Sequence, residues 1–272
     1  MSEEYKGKIH KLNSGTIYEG DWMTAPLTGG YDMSEIDGPY ALGKAAWDMM
    51  KIEKLAEWYR PHLARVTALS APSSSSYLWN TAEGWARLDP LMRELGWEFL
   101  TLIIWHKTGA NPALLGAKNS SKWPDVTEVC GHYRIGDPFH QNDGTPCVWQ
   151  LSPTHDMGDE RITTGERAKK TGSRISGFQE YLHPCQKPLL FAERMVQAST
   201  RPGARILIPF GGTCRIATYL ERLKRMEPEN ARYYDCCELN ADGKDYLGAV
   251  LGRMGEDAAA KAGQLSLFGG KR

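Results

Sequence analysis

The chain has 272 residues, of which 41% are hydrophobic and 24% are charged, as in an ordinary globular protein. Its 33 Lys and Arg residues balance its 33 Asp and Glu residues, so bulk charge does not indicate a polyanionic partner. The six cysteines form no C-x-x-C pair, and no stretch reaches the roughly 20 apolar residues of a membrane span. These observations argue against a zinc site, a disulfide framework and a membrane protein, and we expect a cytoplasmic protein with one sizeable core.

The N-terminal part of the chain alternates short apolar runs with helical patterns. Apolar residues at helical spacing predict a helix over 44–58, and a second helix over 90–95 ends at Gly96. Apolar and β-branched runs next to turn residues predict strands over 16–18, 66–69, 75–79 and 99–105.

The stretch that follows, residues 107–182, is rich in Gly, Pro, Asn, Asp and Thr and has little apolar periodicity. A structureless loop of this length is unusual inside a compact domain, so the stretch is interpreted as a functional insert between residues 1–106 and residues 183–254. Residues 255–272 are interpreted as a flexible tail. The insert carries one basic cluster, formed by Arg161, Arg167, Lys169, Lys170 and Arg174.

Regular structure resumes near Pro188, which suits the first turn of a helix. Strands are predicted over 205–208 and 233–239, and helices over 188–199, 216–223 and 242–254. Alternation of strands and helices predicts an α/β protein with an open, mostly parallel sheet.

Three segments carry the chemistry. The first is Asp37-Gly38-Pro39-Tyr40, and the second is His183-Pro184-Cys185-Gln186-Lys187-Pro188. The third is the loop from Ile208 to Cys214, which joins a predicted strand to a helix. Its glycines let a ligand approach the backbone, and a helix N-terminus offers free N–H groups. Glu238 ends the next strand, where a carboxylate is placed to accept from two ribose hydroxyls.

In these motifs the chain resembles the β-class DNA amino-methyltransferases. That family has D-P-P-Y or S-P-P-Y, a target-recognition insert, H-P-T-Q-K-P, D-P-F-x-G-x-G-T and then an acidic residue, and the order here is the same. The segments 103–107 and 126–128 also look like that family, so the resemblance covers roughly residues 16–250. It implies a Rossmann-like sheet with helices on both faces, and residues 107–182 as the target-recognition insert.

The resemblance implies a site-specific methyltransferase that uses S-adenosylmethionine and acts on the exocyclic amine of a base flipped out of double-stranded DNA. The side chain of Asp37 and the carbonyl of Gly38 would accept the two amine hydrogens. Pro39 restricts Gly38 to extended conformations, and Tyr40 would stack on the base. Asp rather than Ser at the first position favours adenine over cytosine.

The resemblance also implies the cofactor site. Asp21 would accept from the cofactor's adenine amino group, and Lys187 would meet its carboxylate. The remaining predicted cofactor residues are Pro209, Phe210, Gly211, Gly212, Thr213, Glu238 and Asn240. No metal site is expected.

Two further contacts are predicted outside this site. Lys169, Lys170 and Arg174 are interpreted as phosphate contacts, which position a protein on DNA without reading its sequence. The tail segment Gln264-Leu265-Ser266-Leu267-Phe268 resembles the peptide that binds the bacterial replication sliding clamp, with Gln264, Leu265, Leu267 and Phe268 as its contacts. These features imply a bacterial or phage-encoded, DNA-associated protein, and relatives that dimerise make a homodimer a further expectation.

Three positions depart from the family pattern. Gly38 replaces a proline, and Ile208 replaces the acid that accepts from the cofactor's ammonium. Cys214 replaces a glycine, so it would either crowd the methionine end of the cofactor or demand a strained backbone. They keep two alternatives open: a catalytically reduced DNA-binding or clamp-associated protein, and an enzyme that uses a modified S-adenosylmethionine. Roles in restriction–modification, antirestriction and regulation are not separated by the sequence.

Overall fold

A computed structural model of the chain describes residues 4–43, 46–108, 125–141, 143–152, 161–163, 179–181 and 186–239, together with 247, 248, 250–252 and 254. Within these residues one sheet contains nine strands, in the order β1-β2-β11-β10-β3-β4-β6-β5-β7. The strands are β1 (Lys8–Lys11), β2 (Gly15–Glu19), β3 (Tyr31–Ile36), β4 (Ser70–Asn80), β5 (Glu98–Lys107), β6 (Thr127–Ile135), β7 (Val148–Leu151), β10 (Arg205–Ile208) and β11 (Tyr233–Glu238). A separate antiparallel pair contains β8 (Arg161–Thr163) and β9 (Gln179–Tyr181).

The central sheet is parallel from β2 through β11, β10 and β3 to β4. Two packed cores cover its two faces. One face meets α1 (Leu55–Leu69) and α2 (Ala82–Glu94), and the other meets α3 (Leu189–Ser199) and α4 (Arg215–Met226). This arrangement confirms the predicted Rossmann-like α/β class, with helices on both faces of a mostly parallel sheet.

The strands β3 and β10 lie side by side at the centre of the sheet. From β3 the chain crosses through α1 to β4 on one side, and from β10 it crosses through α4 to β11 on the other. The strand order therefore reverses between β3 and β10. In open α/β sheets, ligands bind beyond the carboxyl ends of the strands at such a switch point. The turns that begin at Asp37 and Pro209 leave these two strands at this edge.

The helix predicted over 44–58 and the strand predicted over 66–69 were wrong. Two 3-10 turns, Ala46–Asp48 and Ile52–Lys54, precede α1, which begins at Leu55 and continues to Leu69. The apolar stripe of this helix extends further along the chain than predicted. Its buried face contains Leu55, Tyr59, Leu63 and Val66. The β-branched Val66 suggested a strand, but packing against the sheet overrides that local preference.

The second half of the chain follows the prediction closely, with α3, β10 and β11 within one residue of the expected bounds.

The predicted insert contains more of the sheet than its composition suggested. The strand β6 lies within residues 107–182 and pairs antiparallel with both β4 and β5. None of the helices in the described ranges is long and apolar enough to cross a membrane.

Candidate active site

The Asp37 and Phe210 turns, far apart along the chain, face each other across one cavity of about 340 Å³. A Cβ atom placed on Gly38 would lie 3.2 Å from two carbons of the Phe210 ring. Every predicted catalytic or cofactor residue within the described part of the chain lines this cavity: Asp21, Asp37, Gly38, Pro39, Tyr40, Lys187, Pro209, Phe210, Gly211, Gly212, Thr213 and Glu238. The fold therefore brings the separate sequence motifs together in one place.

A buried chain of charges supports the first turn. The Lys187 ammonium lies 2.9 and 2.7 Å from the two carboxylate oxygens of Asp37, and 3.0 Å from Glu128 Oε2. Glu128 forms a second ion pair with Lys107. Burial would raise the pKa of Glu128, but Lys187 and Lys107 together hold it below its ordinary value. The network thus alternates Lys107, Glu128, Lys187 and Asp37.

This network was not predicted from the sequence. The segments containing Lys107 and Glu128 were noted only as similar to the family, and no role was assigned to either side chain. Lys187 was expected to meet the carboxylate of a cofactor, whereas the structure pairs it with Asp37 and Glu128. An approach of Lys187 to the cofactor remains a prediction.

Tyr40 joins the same network through its hydroxyl, which donates to Asp37 Oδ1 at 2.6 Å. The Lys187 ammonium lies 5.3 Å from the centroid of the Tyr40 ring, within range of a cation–π contact. Burial, with Asp37 and Glu128 adding to it, raises the pKa of Tyr40 well above its ordinary value. Tyr40 is therefore a protonated hydrogen-bond donor, with its ring at the wall of the cavity.

The loop after the tetrapeptide depends on one carboxylate. Asp48 accepts hydrogen bonds from the backbone N–H groups of Tyr40 and Ala41, both at 2.7 Å, and of Leu42 at 3.0 Å. Ala41 has a φ of +59°, a left-handed conformation that a side chain disfavours. Asp48 therefore stabilises an unfavourable backbone conformation in this loop. This role was not predicted from the sequence.

We expect Asp48→Ala to destabilise the protein by about 1–3 kcal/mol, because three backbone donors lose their acceptor. Activity at this site should fall as well, since Tyr40 belongs to this loop. Chemical denaturation and rate measurements check both effects. Asp125→Ala is the matched control, because Asp125 also accepts from a backbone N–H, that of Thr127, but at an exposed position. Equal losses in the two variants would contradict the role of Asp48.

Gly38 occupies a space that its surroundings restrict. A Cβ atom on Gly38 would lie 2.6 Å from the hydroxyl oxygen of the buried Tyr59, too close for a non-bonded contact. That hydroxyl donates to the Pro39 carbonyl at 3.2 Å. The glycine that replaces the family's proline is thus matched to a tyrosine on α1 that the sequence reasoning did not connect with it.

We expect Gly38→Ala to cost about 1–3 kcal/mol of stability by overpacking, and the added Tyr59→Phe change to relieve part of that cost. A double-mutant cycle based on chemical denaturation measures this coupling. Simple addition of the two single-variant costs would show that Gly38 and Tyr59 are not a matched pair.

The second turn is held by short hydrogen bonds. The Gly211 N–H donates to the Cys237 carbonyl at 2.7 Å, and the Gly212 N–H donates to Glu238 Oε2 at 2.5 Å. Gly212 has a φ of +51°, so its conformation favours glycine. Glu238, predicted to accept from ribose hydroxyls, is therefore also a support for the loop.

For Cys214 the sequence left two alternatives, crowding of the cofactor or a strained backbone. It has a φ of +51° and a ψ of 45°, so the backbone strain is present at a cost of about 1–3 kcal/mol. Its buried sulfur lies 3.6 Å from the Cys236 sulfur, and Cys214 is not among the residues that line the cavity. Of the two alternatives, the strained backbone is the one observed, and this side chain packs into the core.

An aromatic wall borders the cavity next to Phe210. The ring centroids of His62, Trp58 and Trp22 lie 5.6, 5.8 and 5.9 Å from that of Phe210. The Trp22 indole N–H donates to His62 Nδ1 at 2.9 Å, and burial lowers the pKa of His62, so the imidazole is neutral. No sequence pattern connects these residues, because Trp22 follows β2 and Trp58 and His62 lie on α1, all far along the chain from the glycine loop.

Several predicted contacts lie outside the described residues. These are Asn240 of the cofactor site, the phosphate contacts Lys169, Lys170 and Arg174, and the clamp contacts Gln264, Leu265, Leu267 and Phe268. Across the ranges that the structure describes, no group of three or more His, Cys, Asp or Glu residues could hold a metal ion.

The chain is similar to a known protein family. The family model described as DNA methylase matches residues 31–248. Over 190 residues the chain is 25% identical to the type II methyltransferase M2.DpnII of Streptococcus pneumoniae, an alignment that covers 68% of this chain and 66%, just under two thirds, of that protein.

Two solved structures share the fold. The PvuII DNA methyltransferase, described as cytosine-N4-specific, is 15% identical, with a TM-score of 0.67 over 91% of this chain and 89% of that one. M1.HpyAVI in complex with SAM is 18% identical, with a TM-score of 0.57 over 87% of this chain and 98% of that one. Together with the family match over most of its length, these findings show that the chain belongs to the N6/N4 DNA methylase family.

Proposed function

We propose that the protein transfers a methyl group from S-adenosylmethionine to the exocyclic amine of an adenine or a cytosine in double-stranded DNA. The observation that carries this proposal is the single cavity shared by the Asp37 turn and the glycine loop. One turn supplies acceptors for an amine, and the other supplies the backbone and aromatic surface for a nucleoside cofactor. Their juxtaposition is what a transfer between two bound molecules requires.

The residues of the cavity fit S-adenosylmethionine. The aromatic wall around Phe210 offers an apolar surface for an adenine ring, and Asp21 and Glu238 lie at the ends of β2 and β11, where acceptors for an amino group and a ribose are needed. A Cβ atom on Gly212 would meet nothing within 4 Å, so the loop leaves open space on that side. When bound, the cofactor supplies an electrophilic methyl group on its sulfonium.

The chain's own groups prepare the amine. An exocyclic amine is a poor nucleophile, because its lone pair is conjugated with the base. Asp37 and the Gly38 carbonyl would each accept one hydrogen and so favour a more nucleophilic nitrogen. The Lys187 ammonium stabilises the negative charge on Asp37. The methylated amine would lose its proton to solvent afterwards, so no strong general base is needed. Tyr40 would stack on the flipped base.

We favour adenine as the target, since the tetrapeptide begins with Asp37 rather than with serine. Incubation with labelled cofactor and mixed-sequence DNA, followed by nucleoside analysis, tests the proposal. Labelled N6-methyladenine is the expected product. Labelled N4-methylcytosine would support the transfer but overturn the base preference, and unlabelled DNA would contradict the activity.

The partners beyond the cavity are also proposals. Residues 107–182 would recognise the target sequence, with Lys169, Lys170 and Arg174 on phosphates, and the tail would bind the sliding clamp. Deletion of residues 263–272 should then abolish clamp binding and leave methyl transfer intact. The alternative, a catalytically reduced DNA-binding protein, is favoured by Ile208, and it predicts DNA binding without cofactor binding.

A further inference from the structure

The acidic side chain of Glu35 lies beside Ile208, the position at which the family pattern has an acid. The strands β3 and β10 are parallel, with Ile206 opposite Met33 and Leu207 opposite Ser34. Continuing this register by one residue places Glu35 beside Ile208. Paired residues of neighbouring strands point to the same face, so the Glu35 carboxylate projects where an acid at position 208 would project.

Glu35 is buried, with 8% of its surface exposed, and it lines the cavity. Ile208 is 1% exposed and contributes only an aliphatic side chain to the core. Nothing in the described part of the chain forms a hydrogen bond with the Glu35 carboxyl group. Because Glu35 lines the cavity, its carboxyl group is available to a ligand that provides such a partner.

The titratable groups around Glu35 come from several elements. Asp37 follows the end of β3, and Lys187 precedes α3. The neutral Cys130 thiol lies on β6, and Arg215, at the start of α4, lines the same cavity. Burial, and then the charge of Asp37, raise the pKa of Glu35 to about 8, against the opposing effect of Lys187. The carboxyl group therefore holds a proton near neutral pH until a ligand cation pairs with it directly.

The other acids of the cavity are already engaged. Asp37 is paired with Lys187, and Glu238 accepts from the Gly212 N–H. Asp48 accepts from the backbone of the loop that follows Tyr40, and Asp21 accepts from the Met23 N–H. Glu35 is thus the acid best placed to receive an ammonium group.

We propose that Glu35 binds the ammonium group at the methionine end of the cofactor and replaces the acid missing at position 208. This inference rests on the proposed function, because it assigns a residue to the cofactor of the same cavity. It explains how the site tolerates Ile208, since the acceptor has moved from β10 to the adjacent strand.

Calorimetric titration of S-adenosylmethionine into the full-length protein tests the assignment. Glu35→Gln, which is nearly isosteric, should weaken binding about 10- to 100-fold, because the ammonium loses a charged acceptor. In a Glu35→Ala background, Ile208→Asp should recover at least about tenfold of the lost affinity, whereas the uncharged control Ile208→Asn should not. Unchanged affinity in Glu35→Gln, or equal effects of Asp and Asn at position 208, would overturn the assignment.

Proton release gives a second readout that does not depend on a buried aspartate folding correctly. Pairing with an ammonium lowers the pKa of Glu35, so at pH 7 the wild-type protein should release roughly one proton more per bound cofactor than Glu35→Gln does. Titrations in phosphate and Tris buffers, which differ in ionisation enthalpy, measure this difference. Equal proton release would overturn the role of Glu35, whereas absence of any cofactor binding by the wild-type protein would contradict the proposed function itself.

Discussion

Asp37→Ala is expected to lower the rate of methyl transfer by about 100-fold or more, the usual cost of removing one transition-state hydrogen-bonding group. Asp37 is the proposed side-chain acceptor at the amine, and its carboxylate also accepts a hydrogen bond from the Tyr40 hydroxyl at 2.6 Å. Alanine is preferred to asparagine, because an amide oxygen would retain an acceptor. Steady-state rates with DNA and labelled cofactor measure the loss.

Binding should distinguish a catalytic loss from misfolding. Affinities for DNA and for the cofactor should stay close to the wild-type values, since neither phosphate contacts nor the glycine loop depend on Asp37. Asp137→Ala, at an exposed position outside the cavity, is the control and should leave the rate unchanged. An Asp37→Ala protein that still methylates DNA at the wild-type rate would show that the catalytic assignment is wrong.

Lys187→Met is expected to produce the largest loss of stability, about 3–5 kcal/mol, because it removes one partner from a buried ion pair. Lys187 is 5% exposed and contacts two carboxylates, so methionine would leave Asp37 without its counter-ion and Glu128 with Lys107 alone. Urea denaturation at pH 7 measures the loss. Lys54→Met is the control, because Lys54 pairs with Glu57 on the surface, where an ion pair contributes little.

The stability lost in Lys187→Met should also depend on pH. The folded-state pKa of Glu128 lies below its ordinary value, so its ionisation stabilises the fold at neutral pH. That stabilisation is lost as the pH falls through the folded-state pKa. In Lys187→Met the pKa of Glu128 is lowered less, because one of its two lysine partners is missing. The difference in unfolding free energy between wild type and variant should therefore shrink as the pH falls from 7 to below the ordinary glutamate pKa. A difference that stays constant over this range would contradict the electrostatic origin.

The sequence predicted those parts of the site whose chemistry is local. The turn at Asp37 and the loop at Gly211 are short segments in which residue type and backbone conformation are directly related, and both line the cavity. The strand Arg205–Ile208 was predicted with its observed bounds, since it is a short apolar run between turn residues.

The missed residues depend on register and packing across the sheet. Glu128 meets Lys187 only because β6 inserts antiparallel between β4 and β5, an arrangement that no local pattern in the sequence reveals. Tyr59 reaches Gly38 only because α1 extends from Leu55 to Leu69 and packs over the sheet. Such contacts follow from the assembled fold rather than from the spacing of residues along the chain.

The departures from the family pattern also acquire physical explanations in the fold. The smaller residue at Gly38 is accompanied by the Tyr59 hydroxyl in the adjacent space, and the Cys214 side chain packs against Cys236. These local adjustments keep the two turns facing each other across the cavity. The departures at Gly38 and Cys214 are visible in the sequence, but the residues that contact them are known only from the fold.

A crystal structure of the protein with S-adenosylhomocysteine, the demethylated and unreactive form of the cofactor, tests most directly whether one crevice serves both motifs. The ligand should lie in the cavity that the Asp37 turn and the Gly211 loop both line, with its adenine against the aromatic wall and its ribose near Glu238. A ligand bound elsewhere on the molecule, or a crevice closed by packed side chains, would contradict the assignment of this cavity as the site of methyl transfer.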